Sequence, residues 1–164
     1  MIDNLVSIIM PSWNTAQFIA ESIQSVINQT YKNWELLIVD DCSTDNTDNI
    51  VASFNDNRIK YFKNEQNSGA ALTRNRAMRE AQGEWITFLD SDDVLTDSAV
   101  DVLLNAAEDG DSLIDIIQGS WYYGVNLSKE DTQYQIHEAK ELSGFPWGKL
   151  FRAEVLKHFK FPEG

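Results

Sequence analysis

The chain of 164 residues contains a single cysteine, three prolines and two histidines. With Cys42 alone, an internal disulfide is excluded and the fold must rest on its core. His137 and His158 are isolated and share no metal-ligand spacing with other His or Cys, so both read as surface or packing residues. Basic residues are scarce: 13 Lys and Arg stand against 26 Asp and Glu, for a net charge of −13. Binding a nucleic-acid backbone needs a basic face, so no nucleic-acid partner is expected. No apolar run approaches the ~20 residues of a membrane span. MIDNLVSIIMP has no basic stretch ahead of its apolar residues, so it does not read as a signal peptide. Repeats and low-complexity segments are lacking as well. These absences leave about one globular domain, with the cytoplasm as its natural compartment.

Alternating signals fill the first hundred residues. Strands are predicted at 5–10, 35–39, 58–62, 85–89 and 114–119. Helices are predicted from Asn14 or Thr15 to 28, over 47–54 and 69–81, and from Thr96 to 107, with a last short one over 152–158. On the first helix Ala16, Ile19, Ala20, Ile23, Val26 and Ile27 share one face at helical period. Gly83 is read as the stop of the third. Short strands separated by helices of about ten residues imply βαβ units and a mostly parallel sheet with helices on both faces. Beyond residue 120 the pattern loosens. Trp121, Tyr122, Tyr123, Tyr134 and Trp147, with Gly124, Gly144 and Gly148, fit either a β-rich extension or an aromatic lid.

In such sheets ligands bind beyond the carboxyl ends of the strands. Those ends carry Pro11, Ser12, Trp13 and Asn14, then Asp40 and Asp41, then Asp90, Ser91, Asp92 and Asp93. Carboxylates this close repel one another unless a cation sits among them, and Mg²⁺ or Mn²⁺ held this way commonly also binds substrate phosphates. The plainer reading is an Asp-rich turn that caps the next helix. Arg74 lies in the middle of the apolar face of helix 69–81, formed by Ala70, Ala71, Ala77, Met78 and Ala81. An arginine there needs an anionic partner, either a structural Asp40 or Asp41 or a bound nucleotide. The helix opens on Asn67, Ser68, Gly69, Ala70 and Ala71, small residues that let backbone N–H groups approach an anion. Neither GxGxxG nor GxxxxGK[ST] occurs, so a dinucleotide fold and a P-loop are unsupported. Cys42, among acidic neighbours, reads as structural. Charge is uneven: residues 1–139 hold 8 Lys and Arg against 23 Asp and Glu, and residues 140–164 hold 5 against 3.

VSIIMPSWN (6–14), QTYKNWELLIVDDCSTDNT (29–47), NEQNSGAALTRNRA (64–77), GEWITFLDSDD (83–93) and PWGKLFRAEVL (146–156) stand in an order and spacing that resemble glycosyltransferase family 2. The resemblance covers almost the whole chain. It implies a GT-A fold, a Rossmann-like three-layer α/β/α sandwich with a mostly parallel central sheet. It also implies an inverting transfer of sugar from a nucleotide sugar, usually a UDP-sugar, to a hydroxyl acceptor. Pro11, Ser12, Asn14, Asp41, Arg74, Asp90, Ser91 and Asp92 would then bind the nucleotide sugar, with Asp41 on the base and Asp90 on ribose or sugar. Asp92 and Asp93 would hold Mn²⁺ or Mg²⁺ on the diphosphate. One domain over 1–164 is expected, with the nucleotide-sugar part over about 1–110 and the start of an acceptor part over 111–164. The acceptor would be a saccharide or lipid-linked saccharide, as in surface-polysaccharide synthesis, at the inner face of a membrane; peripheral membrane contact and a homo-oligomer stay open. Trp13 replaces a commoner tyrosine and Cys42 a frequent glycine. The family's general base, the Asp of a Glu-Asp pair, would fall just beyond Gly164, so the sequence reads as C-terminally truncated or naturally short. Nucleotide-sugar binding is then expected to survive better than transfer. A non-catalytic binding module and, further off, a nucleotidyltransferase are the alternatives.

Overall fold

Nearly unbroken apolar runs at 5–10 and 36–39 suit strands covered on both faces, and that is where they lie. The computed structural model describes residues 2–108, 116–119, 121–123, 135–137 and 146–162. Along the chain come β1 (Ile2–Ser12), α1 (Ile19–Ile27), β2 (Trp34–Asp40), α2 (Thr47–Ala52), β3 (Ile59–Lys63), α3 (Gly69–Glu80), β4 (Gly83–Phe88) and α4 (Ala99–Glu108). After these come β5 (Ile116–Gln118), β6 (Trp121–Tyr123), β7 (Gln135–His137), β8 (Lys149–Arg152) and α5 (Ala153–Leu156). The main sheet has the order β3-β2-β1-β4-β8-β5. Strands β1 to β4 pair in parallel, and β8 runs antiparallel to both β4 and β5.

Side chains alternate between the two faces of a strand, and the core divides accordingly. Val6, Ile8, Met10, Leu36 and Ile38 pack with Ile19, Ile23, Val26, Val51, Val100 and Leu104 of α1, α2 and α4. Ile9, Leu37, Val39, Ile86 and Phe88 pack with Ala77 of α3 and with Ala153 and Leu156 of α5. The result is a three-layer α/β/α sandwich with a mostly parallel centre, as expected. Pro11 pairs with Val39 in β2, whereas pairing with β4 ends at Ile9 and Phe88. The missing proline N–H thus falls where only one neighbour remains, a position strands tolerate.

Several boundaries differ from the sequence reading. Helix α1 starts at Ile19 rather than at Asn14 or Thr15, because residues 16–18 make a turn in which the Phe18 and Ile19 amides both donate to the Thr15 carbonyl at 2.9 Å. Its buried residues include Ser22 and Ser25, while Ala20 is exposed. Gly83 does not end a helix; it opens β4, and α3 stops at Glu80 with Ala81 already extended. The predicted helix over 152–158 is met in part: Ala153–Leu156 is helical, Arg152 instead ends β8, which inserts between β4 and β5, and residues 157–158 form a turn. Trp121, Tyr122 and Tyr123 form β6, paired antiparallel with β7 in a separate two-stranded sheet, as a β-rich extension would require. Tyr134, Gly124, Gly144 and the first residues of the predicted strand 114–119 lie outside the described residues.

Candidate active site

Parallel strands present their carboxyl ends along one edge, and loops from β1, β2 and β4 meet the N-terminus of α3 there. They enclose a cleft of about 720 Å³ lined by Pro11, Ser12, Asn14, Asp41, Arg74, Asp90, Ser91 and Asp92. Every residue expected to bind a nucleotide sugar therefore reaches one cavity. Asp93, the second expected metal residue, is exposed and does not line it. Trp13, Cys42, Thr44, Asn67, Gly69, Ala70 and Thr73 line the cleft as well. Trp13 is 58% exposed, a large ring held against solvent at the mouth.

The loops are tied before any ligand arrives. Asn14 sits in the left-handed region at φ 53°, its amide donates to Ser43 Oγ at 2.8 Å, and its Oδ1 accepts from the Thr44 amide at 2.8 Å. Asn tolerates that conformation better than most residues. Among the described residues, none is seen bonded to the side-chain amide nitrogen of Asn14. Ser12 Oγ shares a 2.8 Å bond with Thr15 Oγ1.

The two aspartates after β2 have separate tasks. Asp40 is fully buried and accepts from the Ser43 amide at 3.0 Å, from Ser43 Oγ and from Tyr61 Oη at 2.7 Å, with Lys63 Nζ at 3.5 Å. Burial first, and then the Asp40 carboxylate, raise the Tyr61 phenol well above its usual value. Asp41 accepts from Asn64 Nδ2 at 2.7 Å, from the Ser68 amide and hydroxyl at 2.9 Å each, and from the Gly69 amide at 2.7 Å. Burial opposes its ionisation, but these donors together outweigh burial and hold the carboxyl below its usual value. Of the small residues that open α3, Ser68 and Gly69 thus aim their backbone N–H groups at the protein's own Asp41. The helix end thereby fixes a cleft carboxylate through these two amides.

Arg74 has a partner, and it is neither Asp40 nor Asp41. Its Nη2 donates to Asp90 Oδ1 at 2.5 Å, with the two side chains 16% and 29% exposed. The guanidinium carbon also sits 5.7 Å from the centre of the Phe161 ring, and its Nε is buried without a hydrogen bond. The helical face read from the sequence is itself shifted: Thr73 and Ala77 are buried and Ala70 is exposed.

Asp90 being engaged, the aspartates do not converge as a trio. Among the described residues no group of three His, Cys, Asp or Glu stands ready to enclose a metal. Asp92 is exposed on the cleft wall, and Asp93 is tied by its amide to the Asp90 carbonyl at 3.0 Å. Asp93 keeps water on one side, yet the protein packed behind it, and then the charges of Asp92 and Asp90, raise its carboxyl above the usual value. A cation would relieve that repulsion. The donor set is all hard oxygen, and one or two carboxylates with phosphate oxygens and water complete a Mg²⁺ or Mn²⁺ shell. The residues fit such an ion on those terms and not as a protein-only cage.

Sequence reasoning also missed what supports this loop. Ser22, Ser25 and Gln29 are buried on α1 and its C-terminal turn, at spacings three and four apart. Polar residues at that spacing on an otherwise apolar face were the available signal.

Comparisons with known proteins agree with the geometry. A β-1,3-glucosyltransferase of Escherichia coli, WfgD, named as acting from UDP-Glc on α-D-GlcNAc-diphosphoundecaprenol, is 56% identical over 94 residues, covering 57% of this chain and 37% of its own. Glycosyltransferase GlyG of Streptococcus pneumoniae is 34% identical over 138 residues, covering 83% of this chain and 44% of its own. The crystal structure of Staphylococcus aureus TarS 1-349 in complex with UDP superposes with a TM-score of 0.77 at 26% identity, covering 96% of this chain and 50% of that one. The chain thus spans half or less of the length of each of these relatives. The family model described as "Glycosyl transferase family 2" matches residues 7–160. With that match over nearly its whole length and the cleft placed at the strand ends, this chain belongs to glycosyl transferase family 2 and has the GT-A fold.

Proposed function

We propose that the cleft binds the nucleoside diphosphate part of a UDP-sugar, and that the whole protein transfers the sugar to a hydroxyl acceptor with inversion. The observation that carries this reading is one cavity holding Pro11, Ser12, Asn14, Asp41, Arg74, Asp90, Ser91 and Asp92 in a fold that matches a UDP-bound structure. Asp41, held ionised, is the acceptor for a base N–H. Asp90, oriented by Arg74, faces ribose or sugar. Asp92, with Asp93 beside it, holds Mn²⁺ or Mg²⁺. When bound, that ion supplies Lewis-acid stabilisation to the departing diphosphate. Arg74 adds positive charge at the same wall of a chain whose net charge is −13. Residues 1–110 form the donor part and 111–164 begin the acceptor part. A saccharide or lipid-linked saccharide is the acceptor, by analogy with the diphosphoundecaprenol-linked substrate in the WfgD name. No described helix is long and apolar enough to cross a membrane, and work at the inner membrane face is part of the proposal.

A second reading, nucleotide-sugar binding without turnover by these residues, rests on a specific observation. Of the carboxylates in the cleft, Asp41 and Asp90 are already bonded within the protein and Asp92 is assigned to the ion. An inverting displacement needs a base opposite the leaving group. Family membership leaves the nucleotidyltransferase alternative without support.

Calorimetry with UDP, with and without Mn²⁺, on wild type and Asp92→Ala tests the site. Wild type is expected to bind UDP far better with the ion. The variant should lose at least about tenfold of that gain, the scale on which even outer partners of a metal ligand act. Ion-independent binding that Asp92→Ala leaves unchanged would overturn the assignment.

A further inference from the structure

The loop that carries the acidic motif has no ladder of its own. Residues 89–98 belong to neither helix nor strand, so their backbone groups need partners from elsewhere. Besides the Leu89 amide on the Ile9 carbonyl and the Asp93 amide on the Asp90 carbonyl, they find partners on α1 and the turn that follows it. Ser22 Oγ donates to the Ser91 carbonyl at 2.9 Å. Ser25 Oγ accepts from the Leu95 amide at 3.1 Å while donating to the Ser22 carbonyl at 2.7 Å. Gln29 Nε2 donates to the Thr96 carbonyl at 2.7 Å and the Ser25 carbonyl at 3.1 Å, and its Oε1 accepts from the Val100 amide at 3.0 Å. The Thr30 amide adds a bond to the Asp97 carbonyl at 2.7 Å.

Ser22, Ser25 and Gln29 are 1%, 7% and 0% exposed. Apolar side chains would suit the buried face of an amphipathic helix better, so polar ones stay only if their bonds are satisfied. Here each side-chain oxygen or nitrogen in the seam is paired, and the partners beyond α1 itself are all backbone atoms between Ser91 and Val100. The Ser91 carbonyl belongs to the peptide that joins Ser91 to Asp92. Holding that peptide sets the direction from which the Asp92 side chain leaves the loop.

We propose that Ser22, Ser25 and Gln29 are positioning residues that hold the loop of Asp90, Ser91, Asp92 and Asp93 in the geometry for a metal-bound diphosphate. This deepens the donor-site reading and rests on it. A supporting shell of this kind fixes a site to a fraction of an ångström, and its loss is felt in binding of the group it aims at.

The test compares Ser22→Ala and Ser25→Ala with Val26→Ala, an equally buried apolar change on the same helix. Calorimetry with UDP and Mn²⁺ is set beside binding of uridine, which lacks the diphosphate. Hydrogen exchange is read over residues 89–98. Both serine variants are expected to weaken UDP–Mn²⁺ binding about three- to tenfold, the equivalent of one ordinary hydrogen bond. Uridine binding should stay at the wild-type value, and exchange should quicken only in 89–98. Val26→Ala should lower thermal stability and leave these three readouts unchanged. Equal weakening of UDP and uridine, or faster exchange spread over α1 and the sheet, would make the serines mere packing residues and overturn the proposal. If wild type binds neither probe, the donor reading falls. The exchange pattern then still decides whether the seam anchors the loop.

Discussion

Cys42, set where the family resemblance leads one to expect glycine, lies in the left-handed region at φ 67°, a conformation that favours glycine. A side chain there costs about 1–2 kcal/mol, and glycine gives back part of that through its freer unfolded chain. Cys42→Gly should therefore stabilise the protein by about 0.5–1 kcal/mol, read as a higher urea midpoint with unchanged slope. Asp41 acts in the opposite direction. Its folded pKa lies below the ordinary aspartate value, because donors from Asn64, Ser68 and Gly69 outweigh burial. A depressed carboxylate stabilises above its unfolded pKa and loses that contribution as pH falls through the folded one. Asp41→Asn should cost about 1.5–3 kcal/mol at pH 7, the worth of hydrogen bonds to a charged group. The gap from wild type should close as pH drops below 3.8. Melting temperatures of both proteins from neutral pH downward check this, and a gap that stays constant would refute it. The need of Arg74 for an anion was legible from its neighbours on the helical wheel. The choice of Asp90 was not, since Asp40 and Asp41 were equally plausible by charge.

Among elements, a close junction lies where β4 begins. A Cβ at Gly83 would stand 2.5 Å from the Leu5 carbonyl and 2.7 Å from Ser7 Oγ. The Gly83 amide donates to Ser7 Oγ at 2.9 Å, and Ser7 Oγ donates to Glu35 Oε1 at 2.6 Å. Glu35 also accepts from the Gln82 amide and from Lys60 Nζ, at 2.7 Å each. One buried carboxylate thus links β1, β2, β3 and β4, and backbone on one side cannot yield to a methyl group. Gly83→Ala is expected to destabilise by about 1–3 kcal/mol or more in chemical denaturation. The reading of Gly83 as a helix stop took its punctuating role and missed this packing role, which depends on a strand many residues away. Strands β1 and β2 were legible because buried parallel strands are continuously apolar, whereas the edge strand β3 is half-buried and was legible from the alternation of Lys60 and Lys63 with Ile59, Tyr61 and Phe62. Strand β8 was hidden because Lys149, Leu150, Phe151 and Arg152 are too few to show a period. Only the open edges of β4 and β5 make them a strand.

At the scale of the whole molecule, net charge sets how a diphosphate is received. With a balance of −13, long-range repulsion opposes an anion approaching the cleft, and salt screens it. Without metal, UDP should therefore bind more tightly as salt rises from about 20 to about 200 mM, which shortens the screening length roughly threefold. With Mn²⁺ present the trend should flatten or reverse. Affinity that falls with salt in metal-free buffer would show that Arg74 and local donors, rather than overall charge, govern the approach. The alternation of strands and helices, the acidic strand ends and the family motifs were all present in the sequence, because apolar periodicity and turn chemistry are local properties. The pairing of Arg74 with Asp90, the capture of the α3 N-terminus by Asp41 and the polar seam from α1 to the acidic loop were decided only by the tertiary structure. Each depends on which strand ends and helix faces the sheet order brings within hydrogen-bond distance, and no local pattern records that.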